Sequence, residues 1–488
     1  MPGFHADPTI CRVGDDYYLA HSSFEYFPGA PIWHSRDLVN WTRIGHILTR
    51  RSQFVRGDGR ASTGLYAGTL RHHDGRFWYV TTNVSDYDGG QVLVSATDAA
   101  GPWSEPIRIQ DAIGIDPDLA WDVDGTCYLT WKGMSFTEGE VGILQAPLDI
   151  NTGALLEPPY PVWQGSGLAA VEAPHLYQVD DTWYLLLAEG GTERGHAVTI
   201  ARAPHPRGPF EGHPHNPLLT RRSSIHPVQN AGHMDLTTKA DGAWAAVYLG
   251  VRVQGSTPGF HVLGRETFLA GIEWSDGWPA VIEDQFEVPT AATSFNDNFV
   301  GEELDGRWVV PGGEAQSTAS MSPDDGLRIA AAGTRGEGSV GQLCTRITDL
   351  RWRAEATIEG SGTFRVLMDP RHWYGLCVKG DAVTATARIG DLQHDVGVAS
   401  VSPHLVTVRI EAVSPAGPTV PLGHAGPDDI VLSVLNEEGG TIEIARLDGR
   451  YLSTEVASGF TGRMLAVGAD GTDACIKRVT YHSDEARS

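Results

Sequence analysis

A polar turn followed by an aromatic-rich strand recurs five times in the first half of this chain. The copies lie at residues 15–19, 75–79, 125–129, 181–185 and 242–246. The equivalent positions Tyr18, Trp78, Tyr128, Tyr184 and Ala245 are separated by 60, 50, 56 and 61 residues. A period near 50 residues, with several short strands in each repeat, is typical of the blades of a β-propeller. The first half is therefore predicted to form a five-bladed β-propeller.

The pattern changes after Trp278 and Pro279. Residues 286–293 are interpreted as a linker, and beyond it short β-type runs alternate with glycine-rich turns, as at residues 327–329, 352–358 and 405–410. This alternation predicts a β-sandwich, and a chain of 488 residues is longer than one hydrophobic core usually serves. We therefore predict an all-β chain, with a five-bladed β-propeller over residues 1–288 followed by a concanavalin-like β-sandwich over residues 296–486.

The chain is strongly acidic, with a formal net charge of -25 at pH 7. This charge argues against nucleic acid or an anionic membrane as a partner, because both require a basic surface, and it suits a neutral substrate such as a sugar. Five cysteines, an odd number without CxxC spacing, indicate reduced thiols rather than a disulfide framework or a zinc site. The first residues lack the basic and apolar regions of a signal peptide, so a cytoplasmic location is expected.

Each aromatic repeat is preceded by one more strand, and these strands carry informative side chains at a common offset. They are Asp7, Tyr66, Asp116, Glu172 and His233, which lie 11 or 12 residues before the aligned position of the repeat. The first strand of each propeller blade lines the central axis, so these side chains are expected to converge on one axial pocket. Three acids that meet in one pocket repel each other, which raises at least one pKa.

Each of these residues also has a simpler interpretation. Asp7 and Asp116 both precede a proline and could form turns. Glu172 could be a surface residue at the end of a strand, and His233 could be a core histidine. Unrelated turn residues have no reason to share a register, however, and the common offset favours the shared pocket.

Eight motifs follow one another along the chain, at residues 2–10, 22–29, 34–41, 114–117, 171–177, 230–236, 263–267 and 459–462. They read PGFHADPTI, SSFEYFPG, HSRDLVNW, GIDP, VEAPHLY, NAGHMDL, LGRET and GFTG. In type and order they resemble glycoside hydrolase family 43, most closely its β-xylosidase and α-L-arabinofuranosidase branch. The resemblance implies an inverting, exo-acting hydrolase that releases terminal xylose or arabinofuranose from small hemicellulose-derived oligosaccharides.

The resemblance also implies three catalytic roles. Asp7 matches the general base, Glu172 the general acid, and Asp116 the acid that orients Glu172 and tunes its pKa. An inverting enzyme holds its two carboxyl groups roughly 6.5–9.5 Å apart to admit water, which we expect for Asp7 and Glu172. Burial and the charge of Asp116 should raise the pKa of Glu172, while Asp7 stays ionised. Asp118 shares a face with Asp116 by strand alternation and is a rival for the tuning role.

Further residues match the sugar-binding positions of the family. Arg265 and His233 match residues that contact the sugar at the floor of the pocket, and Phe24 and Tyr66 match its aromatic walls. No cofactor is implied, but some relatives hold a cation near the axial histidine, so a calcium or similar ion beside His233 is a further expectation. Tyr66 stands where tryptophan is common, and Phe460 is a single aromatic residue where some relatives have two, which leaves the leaving-group subsite open.

Two other functions remain as alternatives. A retaining, fructosidase-like hydrolase would share the architecture, but its Trp-Met-Asn-Asp-Pro-Asn-Gly opening is missing, since residues 5–9 read HADPT. A non-catalytic sugar-binding propeller would have no need of three acids in one pocket. Glu189 is interpreted as a loop residue or as a support for the site. The preferred sugar, the linkage and the oligomeric state, including a homo-oligomer, stay open.

Overall fold

The computed structural model describes residues 1–53, 60–135, 139–290, 292–313, 318–322, 326–332, 341–415, 426–436 and 438–484. Within these ranges the chain is dominated by β-strands, which confirms the all-β prediction. The described helical pieces are short 3-10 turns at Arg51–Gln53, Val84–Gly89 and Gly449–Leu452, and an α-helical turn at Thr454–Ala457. None of the described helices has the length and apolar character that crossing a membrane requires.

Five antiparallel sheets follow one another along the first part of the described chain. Sheet 1 contains β1 (Thr9–Val13), β2 (Asp16–Ala20), β4 (Gly29–Ser35) and β5 (Thr42–Leu48), and sheet 2 contains β6 (Leu65–His73), β7 (Arg76–Asn83), β8 (Gln91–Ala96) and β9 (Ile107–Ile109). Sheet 3 contains β10 (Gly114–Trp121), β11 (Cys127–Ser135), β12 (Gly139–Asp149), β13 (Ala154–Leu155) and β14 (Tyr160–Pro161). Sheet 4 contains β15 (Glu172–Val179), β16 (Thr182–Glu189), β17 (Ala197–Ala203), β18 (Glu211–Gly212) and β19 (Leu219–Thr220). Sheet 5 contains β20 (Val228–Thr238), β21 (Trp244–Arg252), β22 (Glu266–Ser275) and β23 (Trp278–Ile282).

The aromatic repeats of the sequence correspond to one structural position. They lie on β2, β7, β11, β16 and β21, the second strand of each sheet. Their aromatic side chains pack between sheets, as Trp78 does among the residues that sheets 2 and 3 share. The strand that precedes each repeat is β1, β6, β10, β15 or β20. Each repeat of the sequence therefore corresponds to one sheet of the structure.

A buried polar network joins these five first strands. Arg71 of β6 donates to Asp118 of β10 at 2.7 Å and to Asp235 of β20 at 3.0 Å. Both carboxylates are fully buried, and the Arg71 side chain is 14% exposed. Burial raises the pKa of Asp235, but the Arg71 charge, the His175 charge and the hydrogen bonds from Arg71 and Tyr177 together hold that pKa below its usual value. The three groups therefore form a buried ion triad.

The remaining two strands join the same network through neutral groups. Thr9 of β1 donates to Asp235 at 2.8 Å and accepts a hydrogen bond from Leu70 N at 3.0 Å. On β15, Leu176 N donates to Asp118 at 2.8 Å. Buried carboxylates with several donors are held more firmly than isolated ones, because each donor lowers the cost of burying the charge. The network therefore fixes the first strands relative to one another.

The second part of the described chain forms two larger sheets. Sheet 6 contains β24 (Phe295–Asp297), β26 (Ala319–Ser322), β27 (Gly326–Ile329), β29 (Trp352–Glu359), β34 (Leu405–Val413), β35 (Asp429–Leu435), β36 (Thr441–Asp448) and β38 (Ala474–Ser483). Sheet 7 contains β28 (Gln342–Arg346), β30 (Gly362–Asp369), β31 (His372–Lys379), β32 (Ala382–Ile389), β33 (Leu392–Ser400) and β37 (Met464–Gly468). Burial alternates along β29, where Trp352, Ala354, Ala356 and Ile358 point inward. This period of two places one face of the strand against a core that both sheets share.

The two parts of the chain are joined by backbone pairing near the N-terminus. The short strand β3 (Tyr26–Phe27) pairs with β25 (Val310–Pro311). Arg346 of β28 donates its Nε–H to the carbonyl of Phe4 at 2.7 Å. Phe4 and Tyr26 are buried together with residues of sheet 7. The segments around Phe4 and Tyr26 are therefore fixed to the second part of the chain by strand pairing, by a hydrogen bond and by packing.

We predict that Arg71→Met strongly destabilises the protein. The substitution leaves the buried carboxylates of Asp118 and Asp235 without their shared cation, and loss of one partner of a buried ion pair typically costs about 3–5 kcal/mol. The free energy of unfolding from urea titration checks this. Arg36→Met is the control, since Arg36 is 76% exposed beside Asp16 and exposed pairs contribute about 0–1 kcal/mol. Equal losses in the two variants would contradict the structural role of Arg71.

Candidate active site

Most of the predicted site residues at or just before the first strands lie at backbone positions with unusual conformations. Asp7, Asp116 and His233 have left-handed φ angles of 52°, 56° and 50°, and Ala173, next to Glu172, has 49°. On β6, β10, β15 and β20 the pairing register shifts at this level of the strand. A bulge with a left-handed residue re-aims a side chain that regular alternation would direct elsewhere. The bulges therefore belong to the site.

Asp7 is held as a carboxylate by a buried arginine. Arg265 donates to Asp7 Oδ1 at 2.8 Å and to Oδ2 at 3.3 Å, and Ser22 Oγ donates to Oδ2 at 2.6 Å. Asp7 is only 4% exposed. Burial alone would raise the pKa of Asp7, but the Arg265 charge and the Ser22 hydrogen bond lower it below its usual value. Asp7 is therefore ionised at neutral pH and can accept a proton.

Asp116 and Glu172 form a second acidic group in the same cavity. Asp116 is buried, and its Oδ2 accepts a hydrogen bond from Ala173 N at 3.1 Å. Burial, with the charges of Glu172 and Asp7, raises the pKa of Asp116 to about 8. Burial also raises the pKa of Glu172, and the charge of Asp7 acts in the same direction. The charges of Asp7 and Glu172 both act on the pKa of Asp116, and that of Asp7 acts on the pKa of Glu172, so the three carboxyls lie close together.

Lys132 acts on the titration of both Asp116 and Glu172. Its Nζ donates to Glu172 Oε2 at 3.2 Å, and its side chain is 5% exposed. The Lys132 charge opposes the effect of burial on the pKa of both acids; its hydrogen bond adds to this effect on Glu172, whereas Asp116 accepts from the neutral amide of Ala173. Burial raises the pKa of Glu172 as the sequence predicts, but the repulsion between the two acids acts on the pKa of Asp116, where it adds to burial. The pair can therefore hold one proton beside the ionised Asp7.

Three aromatic rings form a wall beside Asp7. The ring of Phe24 contacts that of Tyr66 at 5.3 Å between centroids and stacks on that of Phe460 at 5.8 Å. The guanidinium of Arg265 lies over Phe460 and Phe24, 5.3 and 5.6 Å from the ring centroids. An apolar wall next to a charged donor is the usual way in which a protein binds one face of a sugar ring. Phe24 and Tyr66, predicted as walls of the pocket, thus contact each other, and Phe460 contacts both.

Ser62 connects the parts of this aromatic wall. Its amide donates to Glu25 Oε2 at 2.9 Å, its carbonyl accepts from the Tyr66 hydroxyl at 2.9 Å, and its Oγ accepts from Phe460 N at 2.8 Å. Ser62 also adopts a left-handed φ of 59°. The loop after the first sheet and the loop that carries Phe460 are therefore fixed to each other at one residue.

His233 lies beside the carboxylate of Asp7. Its Nδ1 is 3.6 Å from Asp7 Oδ1, and burial lowers the pKa of His233 to about 3, so the ring is neutral at neutral pH. Within the described ranges, no three His, Cys, Asp or Glu side chains come together as ligands for a metal ion. A cation beside His233 would have Asp7 as its anionic neighbour, and Asp7 is already paired with Arg265. The residues present do not fit the expected ion, and no step is assigned to a metal.

Asp118, predicted by strand alternation to share a face with Asp116, belongs to the structural network. The pairing register shifts between Ile115 and Asp118, and the Asp118 oxygens accept from Arg71 and from Leu176 N. His175 Nδ1 is also close to this carboxylate, at 3.3 Å from Asp118 Oδ1. The carboxylate that receives Lys132 is that of Glu172. Asp118 therefore holds the strands, and Asp116 is the acid next to Glu172.

The sequence analysis did not identify Lys132, Ser22 or Thr192 as members of the site. Thr192 Oγ1 accepts a hydrogen bond from Arg265 at 3.2 Å. For Lys132 a signal was present, because a lysine in the apolar run of β11 is unusual and a buried lysine is normally paired. Ser22 begins the motif at residues 22–29, which assigns it no role of its own, and no feature of the sequence distinguishes Thr192 from other polar loop residues.

Comparison with known protein families gives a direct match. The model of the family described as glycosyl hydrolases family 43 matches residues 1–279. The chain is 42% identical over 301 residues to the xylan 1,3-beta-xylosidase of a Vibrio species, a match that covers 58% of this chain and 56% of that protein. It is 42% identical over 289 residues to the non-reducing end alpha-L-arabinofuranosidase BoGH43B of Bacteroides ovatus, covering 58% and 53%. The matched stretch thus spans about half the length of these curated relatives.

Solved structures match over both parts of the chain. The Bacteroides ovatus xyloglucan PUL GH43B protein is similar with a TM-score of 0.87 and 30% identity, covering 99% of this chain and 98% of that one. The xylan beta-1,4-xylosidase from Bacillus halodurans C-125 has a TM-score of 0.86 and 27% identity, with 99% of each chain covered. The likeness therefore includes sheets 6 and 7 as well as the five sheets around the site.

We predict that Asp116→Asn raises the midpoint of thermal unfolding (Tm) at high pH. The folded pKa of about 8 lies above the unfolded value of 3.8, so the protonated form stabilises the fold and this stability is lost as pH rises through 8. Asparagine cannot ionise, so the Tm difference between variant and wild type should grow from pH 5 to pH 8.5. A gain of about 2 °C or more corresponds to roughly 1 kcal/mol.

The control for this measurement is Asp74→Asn, since the Asp74 side chain is 91% exposed. Its Tm should differ from that of wild type by a small amount that does not grow with pH. A pH-independent Tm difference for Asp116→Asn would contradict the raised pKa of Asp116.

Proposed function

This chain belongs to family 43 of the glycosyl hydrolases, and from that premise we propose that it is an inverting, exo-acting glycosidase. Its substrates are small hemicellulose-derived oligosaccharides, from which it releases terminal β-D-xylose, α-L-arabinofuranose or both. One observation carries this proposal: Arg265 and Ser22 hold Asp7 as a carboxylate, whereas burial raises the pKa values of the neighbouring acids Asp116 and Glu172. One ionised and one protonated carboxyl are what glycosidic cleavage requires.

Glu172 is proposed as the general acid. It protonates the leaving-group oxygen while the bond between that oxygen and the anomeric carbon breaks. Asp116 accepts a hydrogen bond from Ala173 N next to Glu172, and repulsion between the two acids favours one shared proton on the pair at neutral pH. Lys132, on Glu172 Oε2, stabilises the carboxylate that remains after the proton has left.

Asp7 is proposed as the general base. It removes a proton from the water that attacks the anomeric carbon on the face opposite the leaving group, so the configuration inverts. Arg265 and Ser22 orient the two oxygens of Asp7. A separation of about 6.5–9.5 Å between the carboxyls of Asp7 and Glu172 is part of this proposal, because water has to fit between base and sugar.

We also propose that sheets 1–5 are the blades of a closed five-bladed propeller, residues 1–288, and that sheets 6 and 7 form a β-sandwich, residues 296–486. Links among all five first strands support the first assignment, including the bond from Thr9 of β1 to Asp235 of β20. The core shared by sheets 6 and 7 supports the second. Phe460 would then be the contribution of the sandwich to the pocket, closing it at one side and favouring exo action.

The identity of the sugar is proposed only to the level of a pentose. The relatives carry the names of xylosidases and of an arabinofuranosidase, and the two sugars present similar hydroxyl groups to one small pocket. Neither the fructosidase-like nor the non-catalytic alternative is favoured by these relatives. The cytoplasmic location and a homo-oligomeric state stay predictions.

We predict a leaving-group dependence for Glu172→Ala. Hydrolysis of a xylo- or arabino-disaccharide should fall about 10²–10⁴-fold, the usual contribution of a general acid, while dinitrophenyl pentosides, whose leaving group needs no proton, should be affected far less. Asp7→Ala should lose turnover of both substrate types and still bind the sugar. Steady-state kinetics check both variants, with Glu193→Ala, at an exposed position, as control. Equal losses on both leaving groups in Glu172→Ala would remove Glu172 from the acid role.

We predict inversion at the anomeric carbon. Proton NMR of the first-formed product should reveal α-xylose from a nitrophenyl β-xyloside and β-arabinofuranose from a nitrophenyl α-L-arabinofuranoside, before mutarotation mixes the anomers. Relative rates on the two substrates also identify the preferred pentose. Retention of configuration would contradict the assignment of Asp7 as a base and would place the carboxyls about 5 Å apart.

A further inference from the structure

Glu189, at the end of β16, has a carboxylate that is fully buried and saturated with donors. Oε1 accepts from Ser166 N at 2.8 Å and from Thr199 Oγ1 at 2.5 Å. Oε2 accepts from Leu168 N at 3.1 Å and from Ser166 Oγ at 3.2 Å. Three of these four donors belong to residues 165–171, named here the lead-in segment because it runs directly into Glu172.

The lead-in segment has a backbone conformation that needs support. Ala170 and Ala173 both have left-handed φ angles, 50° and 49°, so Glu172 lies between two unfavourable residues. A left-handed alanine costs roughly 1–2 kcal/mol and persists only where the surroundings enforce it. On the far side of Glu172 the Ala173 amide is bound by Asp116. On the near side, the bonds to Glu189 restrain the backbone.

The turn after Glu189 makes two more contacts with the site. Gly190 N donates to the carbonyl of Ala169 at 2.6 Å, so the lead-in segment is bound by backbone as well as by the carboxylate. Two residues further on, Thr192 accepts from Arg265, the partner of Asp7. The packing is close, because a Cβ added to Gly165 would lie 2.8 Å from Glu189 Cδ. The turn at residues 190–192 therefore contacts both the segment that leads to Glu172 and the arginine that holds Asp7.

We propose that Glu189 is a positioning residue for the general acid, and this inference rests on the proposed glycosidase function. Its carboxylate holds the amides of Ser166 and Leu168 on two different oxygens, and so fixes the start of β15 at the position from which Glu172 reaches the leaving-group oxygen. An amide side chain cannot replace it, since it offers one accepting oxygen and a donating NH₂ group. Proton transfer needs a heavy-atom distance of about 2.6–3.2 Å, so a small displacement of the lead-in segment is enough to impair it.

The test compares leaving groups in Glu189→Gln. The rate on a disaccharide should fall about 10²-fold, the effect that a misplacement near 1 Å can have. The rate on a dinitrophenyl pentoside should stay within about threefold of wild type, because that leaving group departs without a proton. KM for both substrates should change little, since the Glu189 carboxylate contacts Ser166, Leu168 and Thr199 and neither the aromatic wall nor Arg265.

Thr199→Val is the matched control. It removes one hydrogen bond from the same buried carboxylate and leaves the bonds to the lead-in segment in place. It should lower the Tm without changing the ratio of the two rates. Gly165→Ala provides a second variant if Glu189→Gln does not fold, because the added methyl would lie 2.8 Å from Glu189 Cδ and Gly165 has a left-handed φ of 85°, so the lead-in segment and the carboxylate must move apart while the carboxylate keeps its chemical type. This variant should give the same selective loss on the disaccharide.

A double-mutant cycle with Glu172→Gln completes the experiment. If Glu189 acts through Glu172, then Glu189→Gln on that background should cause no further selective loss on the disaccharide. Equal losses on both leaving groups in Glu189→Gln and Gly165→Ala, or an additive cycle, would overturn the inference and leave the proposed function intact. Failure of the wild-type protein to hydrolyse any pentoside would instead overturn the proposed function.

Discussion

The buried guanidinium of Arg71 organises the first part of the structure. Its bonds to Asp118 and Asp235 join three first strands, and the other donors to these two carboxylates bring in the remaining two. A buried charge triad is not by itself a source of great stability, because desolvation offsets much of the attraction. Its directional bonds do, however, fix how the strands meet. The residues at the starts of the same strands, among them Asp7 and Glu172, thereby acquire fixed relative positions.

The three acids of the cavity differ through their neighbours and not through their chemical type. Asp7 has a bidentate arginine, which lowers its pKa, whereas burial and mutual repulsion raise the pKa values of Asp116 and Glu172. Lys132 then separates the last two. Carboxyls at equivalent positions of sheets 1, 3 and 4 can thus differ in protonation state, and acid–base cleavage of a glycosidic bond needs one ionised and one protonated carboxyl.

The second part of the chain takes part in the site as well as in packing. Phe460 stacks on Phe24, and its amide is bound by Ser62, 398 residues earlier in the sequence. Close backbone approach supports this contact, since a Cβ on Gly462 would lie 2.2 Å from the carbonyl of Leu263, two residues before Arg265. The aromatic wall and the arginine that holds the base therefore depend on the same junction. A change in the second part of the chain can alter sugar binding without touching a catalytic acid.

The sequence by itself determined the spacing of the repeats and the common offset of Asp7, Asp116 and Glu172, because regular strands of similar length place equivalent residues at equivalent heights. It also indicated an all-β chain and, through its motifs, a family. Tertiary structure alone decided which carboxyl is ionised, that Asp118 pairs with Arg71 and not with the catalytic acids, and that Lys132 and Glu189 support Glu172 from opposite sides. These features arise from register shifts, left-handed residues and contacts between distant segments. A pKa depends on all charges and donors within a few ångströms, and the linear order of residues does not specify which groups those are.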